Sequence, residues 1–156
     1  MEVKPIGIIH SPFQQAAGTP IQPVFAGGTE GIVVVFDEYA QGLKDLDGFE
    51  RIWLIYWFDR CRDYNLAVTP YMDTEKRGLF ATRAPARPNP IGMSAVGLER
   101  IEGNEIHVRD IDILDGTPLL DIKPYSPKFD CFEVSRNGWL QNVRGGNHKA
   151  DRRFHR

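Results

Sequence analysis

The sequence has little cysteine and no cysteine or histidine pattern of the kind that binds metals. Its two cysteines, Cys61 and Cys131, are far apart and form no C-x-x-C pair. Isolated thiols of this kind are typical of a reducing compartment, so we expect both to be free rather than joined in a disulfide. The four histidines are His10, His107, His148 and His155. Their spacing is not that of metal ligands, and we expect no metal site.

Long apolar runs are also absent. No stretch approaches the length of a membrane-spanning helix, and the first residues do not form the basic and apolar segments of a secretory signal. We therefore expect a cytoplasmic protein that does not enter a membrane. The formal net charge is −2 at pH 7, so bulk charge does not indicate a nucleic-acid-binding protein.

The C-terminus departs from this average because it is locally basic. Its cations are Arg144, Lys149, Arg152, Arg153 and Arg156, with Asp151 as the one acid. Such a tail suits either an arm that contacts RNA phosphates or, more commonly, a solvated and frayed terminus. We favour the frayed terminus.

The glycine motifs of common enzyme sites are missing too. The chain contains no G-x-G turn, no G-x-x-x-x-G-K loop and no G-x-S-x-G elbow. These motifs mark the nucleotide sites of Rossmann-type folds, phosphate-binding loops and the nucleophiles of hydrolases. Motifs alone therefore indicate a ligand-binding protein, do not name a reaction, and disfavour a hydrolase.

What the chain does have is a series of short apolar runs between turn residues, with 15 glycines and 11 prolines. Its length suits one domain with a single core. Strands are predicted over 3–9, 31–36, 51–58, 94–101, 105–109 and 119–123, with a further strand near 138–140 and one or two helical turns over 37–46. Without long alternating helices, this pattern predicts a mainly β fold, a small single-domain β-barrel that is not of the Rossmann type.

The run from Arg51 to Phe58 is apolar on both faces. It predicts either a central strand buried on both sides or a strand with one face set against a partner subunit. The sequence leaves these alternatives open.

A proline-rich segment over residues 82–94 is the most distinctive feature. Proline fixes the backbone and restricts the residue before it, so the segment is expected to be a stiff loop that is neither helix nor central strand. Asn89 lies between two prolines, and Arg83 and Arg87 add guanidinium groups. The loop suits either a polar-ligand site or a stiff connector. A second segment, residues 112–125, places three aspartates around a D-G-T-P turn.

Four blocks in order resemble the TsaA-like family, whose characterised members are the TrmO tRNA methyltransferases. The blocks are residues 6–13, 78–83, 87–94 and 115–125, the last containing D-G-T-P and D-I-K-P-Y. The resemblance implies a TsaA-like β-barrel domain over residues 1–127. Residues 128–156 would then form a C-terminal strand or loop and a basic tail, packed on the same domain or trailing from it.

The resemblance implies an activity as well. The chain would use S-adenosyl-L-methionine, bound without a Rossmann fold, to methylate N6 of threonylcarbamoyl-adenosine beside the tRNA anticodon, at position 37. Transfer would be direct and in line, and the enzyme would be a homodimer. A non-catalytic barrel that binds a nucleotide or RNA is the alternative.

Site residues follow from the matched positions. The implied cofactor-binding residues are Pro20, Ile21, Gln22, Asp59, Arg60, Arg83, Met93, Asp110, Ile111 and Asp112. Arg87, Lys76 and Arg77 are candidates for tRNA binding, although Arg87 equally suits an ion pair with an aspartate. Asn89 is the candidate catalytic acceptor for the N6 proton, or else a structural pin for the loop. The tail matches no block, so truncation after Arg144 is expected to spare cofactor binding.

Overall fold

Six antiparallel strands close into a barrel in the computed structural model, which describes residues 2–154. The strands of the chain are β1 Gly7–His10, β2 Glu30–Val35, β3 Arg51–Trp57, β4 Ala67–Val68, β5 Arg77–Gly78, β6 Ile91–Glu102, β7 Glu105–Arg109 and β8 Thr117–Pro124. The barrel order is β1-β2-β7-β6-β3-β8, and β8 pairs with β1 to close it. The predicted mainly β barrel is confirmed. His155 and Arg156 of the basic tail, and Met1, lie outside the described residues.

The helices are all short. Short 3₁₀ segments span Pro23–Phe25, Asp37–Leu43, Leu46–Gly48, Leu79–Ala81 and Gly138–Asn142, and one α-helical turn spans Pro127–Asp130. The turns predicted over 37–46 are therefore present. Within the described residues, no helix has the length and apolar character needed to cross a membrane.

Alternation along the strands builds the core inside the barrel. The inward side chains are fully or almost fully buried: Ile9, Val33, Val35, Ile52, Leu54, Val96, Ile106, Val108 and Leu119. Branched aliphatic side chains suit this position because they pack well on a pleated surface. Each contributes about 1.5–3 kcal/mol on burial.

Strand β3 is the strand that the sequence makes apolar on both faces, and the structure shows how each face is buried. Ile52, Leu54 and Tyr56 point into the barrel and are buried, whereas Trp53, Ile55 and Trp57 alternate with them and are half-buried. The chain thus buries one face of the strand fully and covers the other only in part. Burial of both faces is therefore incomplete within one chain, and a partner subunit on the outward face stays a prediction.

Two local predictions need correction. The last part of the proline-rich segment, residues 91–94, begins strand β6 and pairs with β3. The prolines end at Pro90, and every residue after it has an N–H to donate, so the stiff loop stops there. The segment near 138–140, expected to be a strand, is instead the 3₁₀ turn Gly138–Asn142. Its first residue, Gly138, has a left-handed backbone with φ of 54°.

The C-terminal segment is also unlike the expected frayed tail. Its backbone pairs with the loop over residues 18–21 through three hydrogen bonds: Gly18 N to Ala150 O, Ile21 N to His148 O, and Ala150 N to Thr19 O, at 2.7–3.0 Å. The His148 ring stacks on Phe25 with centroids 3.9 Å apart. Phe154 packs against the buried cluster of Val68, Leu79 and Ala84. Apolar and backbone contacts outweigh the charge of the tail and hold it on the barrel domain.

Candidate functional site

A cavity of about 1140 Å³ lies beside the barrel where several loops converge. The loop before and within the first 3₁₀ turn, the end of β3, the proline-rich loop and the start of β6 all line it. Residues 112–114 and parts of the C-terminal segment complete the wall. Such a concave, mixed polar and apolar cavity is the usual form of a small-molecule site.

Most of the predicted cofactor residues come together here, although they are distant in sequence. The cavity is lined by Pro20, Ile21, Gln22, Asp59, Arg60, Arg83, Met93 and Asp112. Of the other predicted site residues, Arg87 also lines it, whereas Asp110, Ile111, Asn89, Lys76 and Arg77 do not. The structure therefore assembles one candidate site from five separate segments.

Arg83 joins two of these segments. Its Nη1 donates a hydrogen bond to Gln22 Oε1 at 2.5 Å, across 61 residues of sequence. Arg83 is otherwise exposed on the cavity rim. A guanidinium has five N–H donors, so this bond leaves donors with which Arg83 can bind a carboxylate.

A chain of buried polar groups lies at the cavity wall, and sequence reasoning found only its end. Ser94 Oγ donates to Asp112 Oδ1 at 2.7 Å, and Tyr56 Oη lies 3.1 Å from Ser94 Oγ. Because Ser94 has one hydroxyl hydrogen and gives it to Asp112, Tyr56 is the donor to Ser94. Ser94 is 1% exposed and Tyr56 4%. Asp112 was predicted from family resemblance, but Tyr56 and Ser94 were not.

Burial changes the acidity of this group. Desolvation raises the pKa of Asp112 to about 7, against the opposing effects of the hydrogen bond from Ser94 and the positive charge of Arg83. Burial also raises the pKa of Tyr56, and the nearby charge of Asp112 adds to that effect. Asp112 is therefore a carboxyl group whose protonation changes close to neutral pH.

Gly92 makes the position of Tyr56 possible. The two residues are register partners in β6 and β3. A Cβ atom at Gly92 would overlap Cε2 and Cζ of the Tyr56 ring, well inside van der Waals contact. The absence of a side chain at Gly92 thus lets the ring lie across β6 with its hydroxyl at Ser94.

Asp110 and Ile111 support the wall from behind. Asp110 adopts a left-handed backbone, with φ of 63°. Its carboxylate accepts from Gly28 N at 3.1 Å and from Arg51 Nη2 at 2.7 Å. Ile111 is fully buried in the core. The side chains of both residues are therefore committed to the scaffold and do not line the cavity, and their contact with the cofactor stays a prediction.

The predicted tRNA-binding cations are mostly engaged within the chain. Arg87 Nη1 donates to the carbonyls of Thr82, Leu79 and Ala84 at 3.0–3.4 Å, so it braces the proline-rich loop rather than pairing with an aspartate. Arg77 forms ion pairs with Asp73 and Glu75 at 2.7 and 3.0 Å. Lys76 is exposed.

Asn89 is exposed on the same loop, outside the cavity. Its carbonyl accepts from Ile91 N at 2.7 Å. Because this bond is made by the backbone, it does not distinguish a structural pin from a catalytic acceptor, and both roles stay predictions.

Comparisons with known proteins agree with this architecture. A family model described as the tRNA-methyltransferase O N-terminal domain matches residues 8–131. The chain is 58% identical over 138 residues to a probable S-adenosyl-L-methionine-binding protein of Pyrococcus abyssi, covering 88% of this chain and 75% of that protein. A tRNA (adenine(37)-N6)-methyltransferase of mouse is 34% identical over 134 residues, 81% of this chain and 31% of the mouse protein.

A solved structure matches as well. The crystal structure of TrmO from Pseudomonas aeruginosa superposes with a TM-score of 0.75 at 36% identity, covering 89% of this chain and 62% of that one. The chain thus spans less than two thirds of the bacterial structure and about a third of the mouse relative.

Proposed function

The chain belongs to the TrmO family of S-adenosyl-L-methionine-dependent methyltransferases, and from that premise we propose that it methylates N6 of adenosine 37 in tRNA. The adenosine would already carry the threonylcarbamoyl group. The observation that carries the proposal is the cavity, which gathers eight of the ten cofactor residues implied by the family from five segments of the chain.

The residues of the cavity fit the cofactor. S-adenosyl-L-methionine supplies an electrophilic methyl group on a sulfonium and also carries an amino acid, a ribose diol and an adenine. Arg83 suits its carboxylate, since a guanidinium can donate two parallel hydrogen bonds. Asp59 suits the ammonium or the diol, and the amide of Gln22 suits the adenine edge. Trp53 and Phe58 add aromatic surface to the wall.

Catalysis in this site would rest mainly on placement. An in-line displacement needs the acceptor nitrogen opposite the leaving sulfur, and a cavity that fixes both ligands supplies that alignment. Arg87 braces the stiff loop, and the strands form a closed barrel, so the cavity wall is held rigidly. The role of this chain is therefore to bind, align and exclude water.

We also propose that the enzyme is a homodimer. The outward face of β3 presents Trp53, Ile55 and Trp57 half-buried. On the adjacent β6, Ile91 and Met93 are 44% and 47% exposed. A contiguous apolar face of this kind is typical of a protein-protein contact. Because Trp53, Ile91 and Met93 also line the cavity, a partner here would lie at its edge.

Methyl transfer with isotopically labelled cofactor tests the proposal. Purified protein is incubated with tRNA isolated from cells that lack the enzyme, and the digested nucleosides are analysed by mass. We expect one labelled methyl group per tRNA that carries threonylcarbamoyl-adenosine, located in the anticodon-loop fragment that contains position 37. Cofactor binding measured by calorimetry without any transfer would contradict the proposal and support a non-catalytic nucleotide-binding or RNA-binding barrel.

A further inference from the structure

We propose that Asp112 accepts the proton that leaves N6 of the target adenosine, and that Ser94 and Tyr56 hold its carboxylate in place. The inference rests on the proposed methyl transfer and adds a role for three residues within it. It starts from one observation: a polar chain from β3 through β6 ends in a carboxylate at the cavity wall.

The hydrogen bond from Ser94 fixes the position of one carboxylate oxygen of Asp112, and the carboxylate can still accept further hydrogen bonds. Ser94 donates to Oδ1 at 2.7 Å, and Tyr56 in turn donates to Ser94. Both hydroxyls are buried on strands of the barrel, so their positions are set by the core rather than by a loop. A carboxylate has about four acceptor sites, so a bond from Ser94 does not saturate it.

The reaction requires such an acceptor. N6 of threonylcarbamoyl-adenosine bears one hydrogen, and its lone pair is delocalised into the ring and the carbamoyl group. As the N6–methyl bond forms, the methyl–sulfur bond breaks and its electron pair stays on sulfur. The N6–H bond then breaks, its electron pair stays on nitrogen, and the proton passes to the carboxylate of Asp112. The methylated base is left neutral.

Charge and acidity suit Asp112 to this role. The groups that face it are Tyr56 from β3, Ser94 from β6 and Arg83 from the proline-rich loop. Burial raises the pKa of Asp112 to about 7, close to the pH at which a general base is most effective. A bound sulfonium would lower this pKa and favour the ionised form.

Other acids and amides suit the role less well. Asp59 is the second carboxylate on the cavity, but it is exposed. Asn89 lies outside the cavity. Among the residues that the structure describes, Asp112 is the acid that combines a cavity position with a buried hydrogen-bonded support.

Single-turnover rates at saturating cofactor and tRNA, measured from about pH 5 to about pH 9, test the role of Asp112. We expect Asp112→Asn to lower the rate about 100-fold or more and to abolish its rise with pH, because Asn cannot take a proton. Affinity for S-adenosylhomocysteine, measured by calorimetry, should fall by a much smaller factor than the rate does. Asp59→Asn is the matched control, and its effect should fall on affinity.

The supporting hydroxyls give a second readout. Ser94 lowers the pKa of Asp112 by donating to it, so Ser94→Ala should move the rise in rate to higher pH. Tyr56→Phe, which leaves Ser94 in place, should produce a smaller shift in the same direction. A purely structural role would lower the rate equally at every pH.

The outcomes separate the two proposals. If wild type transfers methyl and Asp112→Asn does so at an equal rate, or loses rate only through cofactor affinity, Asp112 is not the acceptor and the proposed function stands. If wild type binds the cofactor but transfers no methyl to tRNA, both are overturned.

Discussion

Arg83 is the residue whose side chain most directly connects the loop structure to ligand binding. It bridges to Gln22 on one side and faces the cavity on the other. We expect Arg83→Ala to weaken S-adenosyl-L-methionine binding about tenfold to a hundredfold, which corresponds to the loss of a charge-assisted hydrogen bond of about 1.5–3 kcal/mol. Calorimetry measures this directly. Arg62→Ala, at an exposed arginine outside the cavity, is the control. Equal affinities for wild type and Arg83→Ala would remove Arg83 from the site.

Asp112 carries a prediction about stability that is independent of catalysis. Its folded pKa of about 7 lies above the ordinary value of 3.8, so its ionisation costs folding free energy. That cost is absent below the ordinary value, grows as pH rises between the two values and is complete above about 7. Asp112→Asn removes the cost. The melting temperature of the variant relative to wild type should therefore be higher at about pH 8 than at about pH 5. A difference that is the same at both pH values would show that burial does not raise the pKa of this group in the way described.

Some residues of the candidate site can be predicted from the sequence, and others cannot. Arg83 lies in a block that resembles the family, and Asp112 lies just before one. Ser94 also lies in a matched block, but a polar residue in an alternating strand is usually a satisfied core position, so nothing singles it out as a site residue. Tyr56 lies in no block. Their meeting depends on the register that places Tyr56 opposite Gly92 and Leu54 opposite Ser94. That register exists only once the barrel has formed.

Strand β6 carries the next prediction. A methyl group at Gly92 would overlap the ring of Tyr56. We expect Gly92→Ala to lower the free energy of unfolding by about 1–3 kcal/mol, as overpacking does, and to displace the Tyr56 hydroxyl from Ser94. Chemical denaturation measures the first effect. Gly42→Ala is the matched control, because nothing lies within 4 Å of a Cβ at that position. Equal stability of the two variants would contradict the close approach.

The C-terminal segment behaves as an element of the site. Residues 148–150 pair with the loop that carries Pro20, Ile21 and Gln22. Truncation after Arg144 removes these bonds, so we now expect it to weaken cofactor binding, in contrast to the expectation from sequence. Calorimetry on the truncated chain tests this, with the single substitution Arg152→Ala as a control for charge alone. Full affinity after truncation would show that the loop keeps its shape unaided.

The sequence could not reveal this pairing. It consists of one isolated bridge between Pro20 and Lys149 with flanking hydrogen bonds, far apart along the chain. Neither partner has the alternating pattern that identified the barrel strands. The barrel itself was predictable because its inward positions repeat every second residue.

Substitutions on the outward face of β3 test whether the protein is a dimer. We expect light scattering to give twice the 17.7 kDa mass of one chain. Ile55→Glu places a charge on this face and should shift the protein towards monomer. Leu66→Glu is the control at an apolar side chain that is 64% exposed elsewhere. A dimer that survives Ile55→Glu would place the contact on another surface.

Recognition of tRNA is also a property of the whole molecule. The chain has a formal net charge of −2, so the proposed binding of tRNA would depend on local groups and on the modified base rather than on overall attraction. Eight of the ten residues that the family resemblance implies for the cofactor line the cavity. Two of the three cations proposed for tRNA turned out to be engaged within the chain.

The proposed reaction is methyl transfer to N6 of threonylcarbamoyl-adenosine at position 37 of tRNA. Its most direct test uses two tRNAs of identical sequence, one with threonylcarbamoyl-adenosine at position 37 and one with plain adenosine there. Both are incubated with the protein and labelled S-adenosyl-L-methionine, and the nucleosides are analysed by mass. We expect a single labelled methyl group on the threonylcarbamoyl-adenosine and none on the plain adenosine. Label at any other position, equal label on both tRNAs, or no label on either would contradict it.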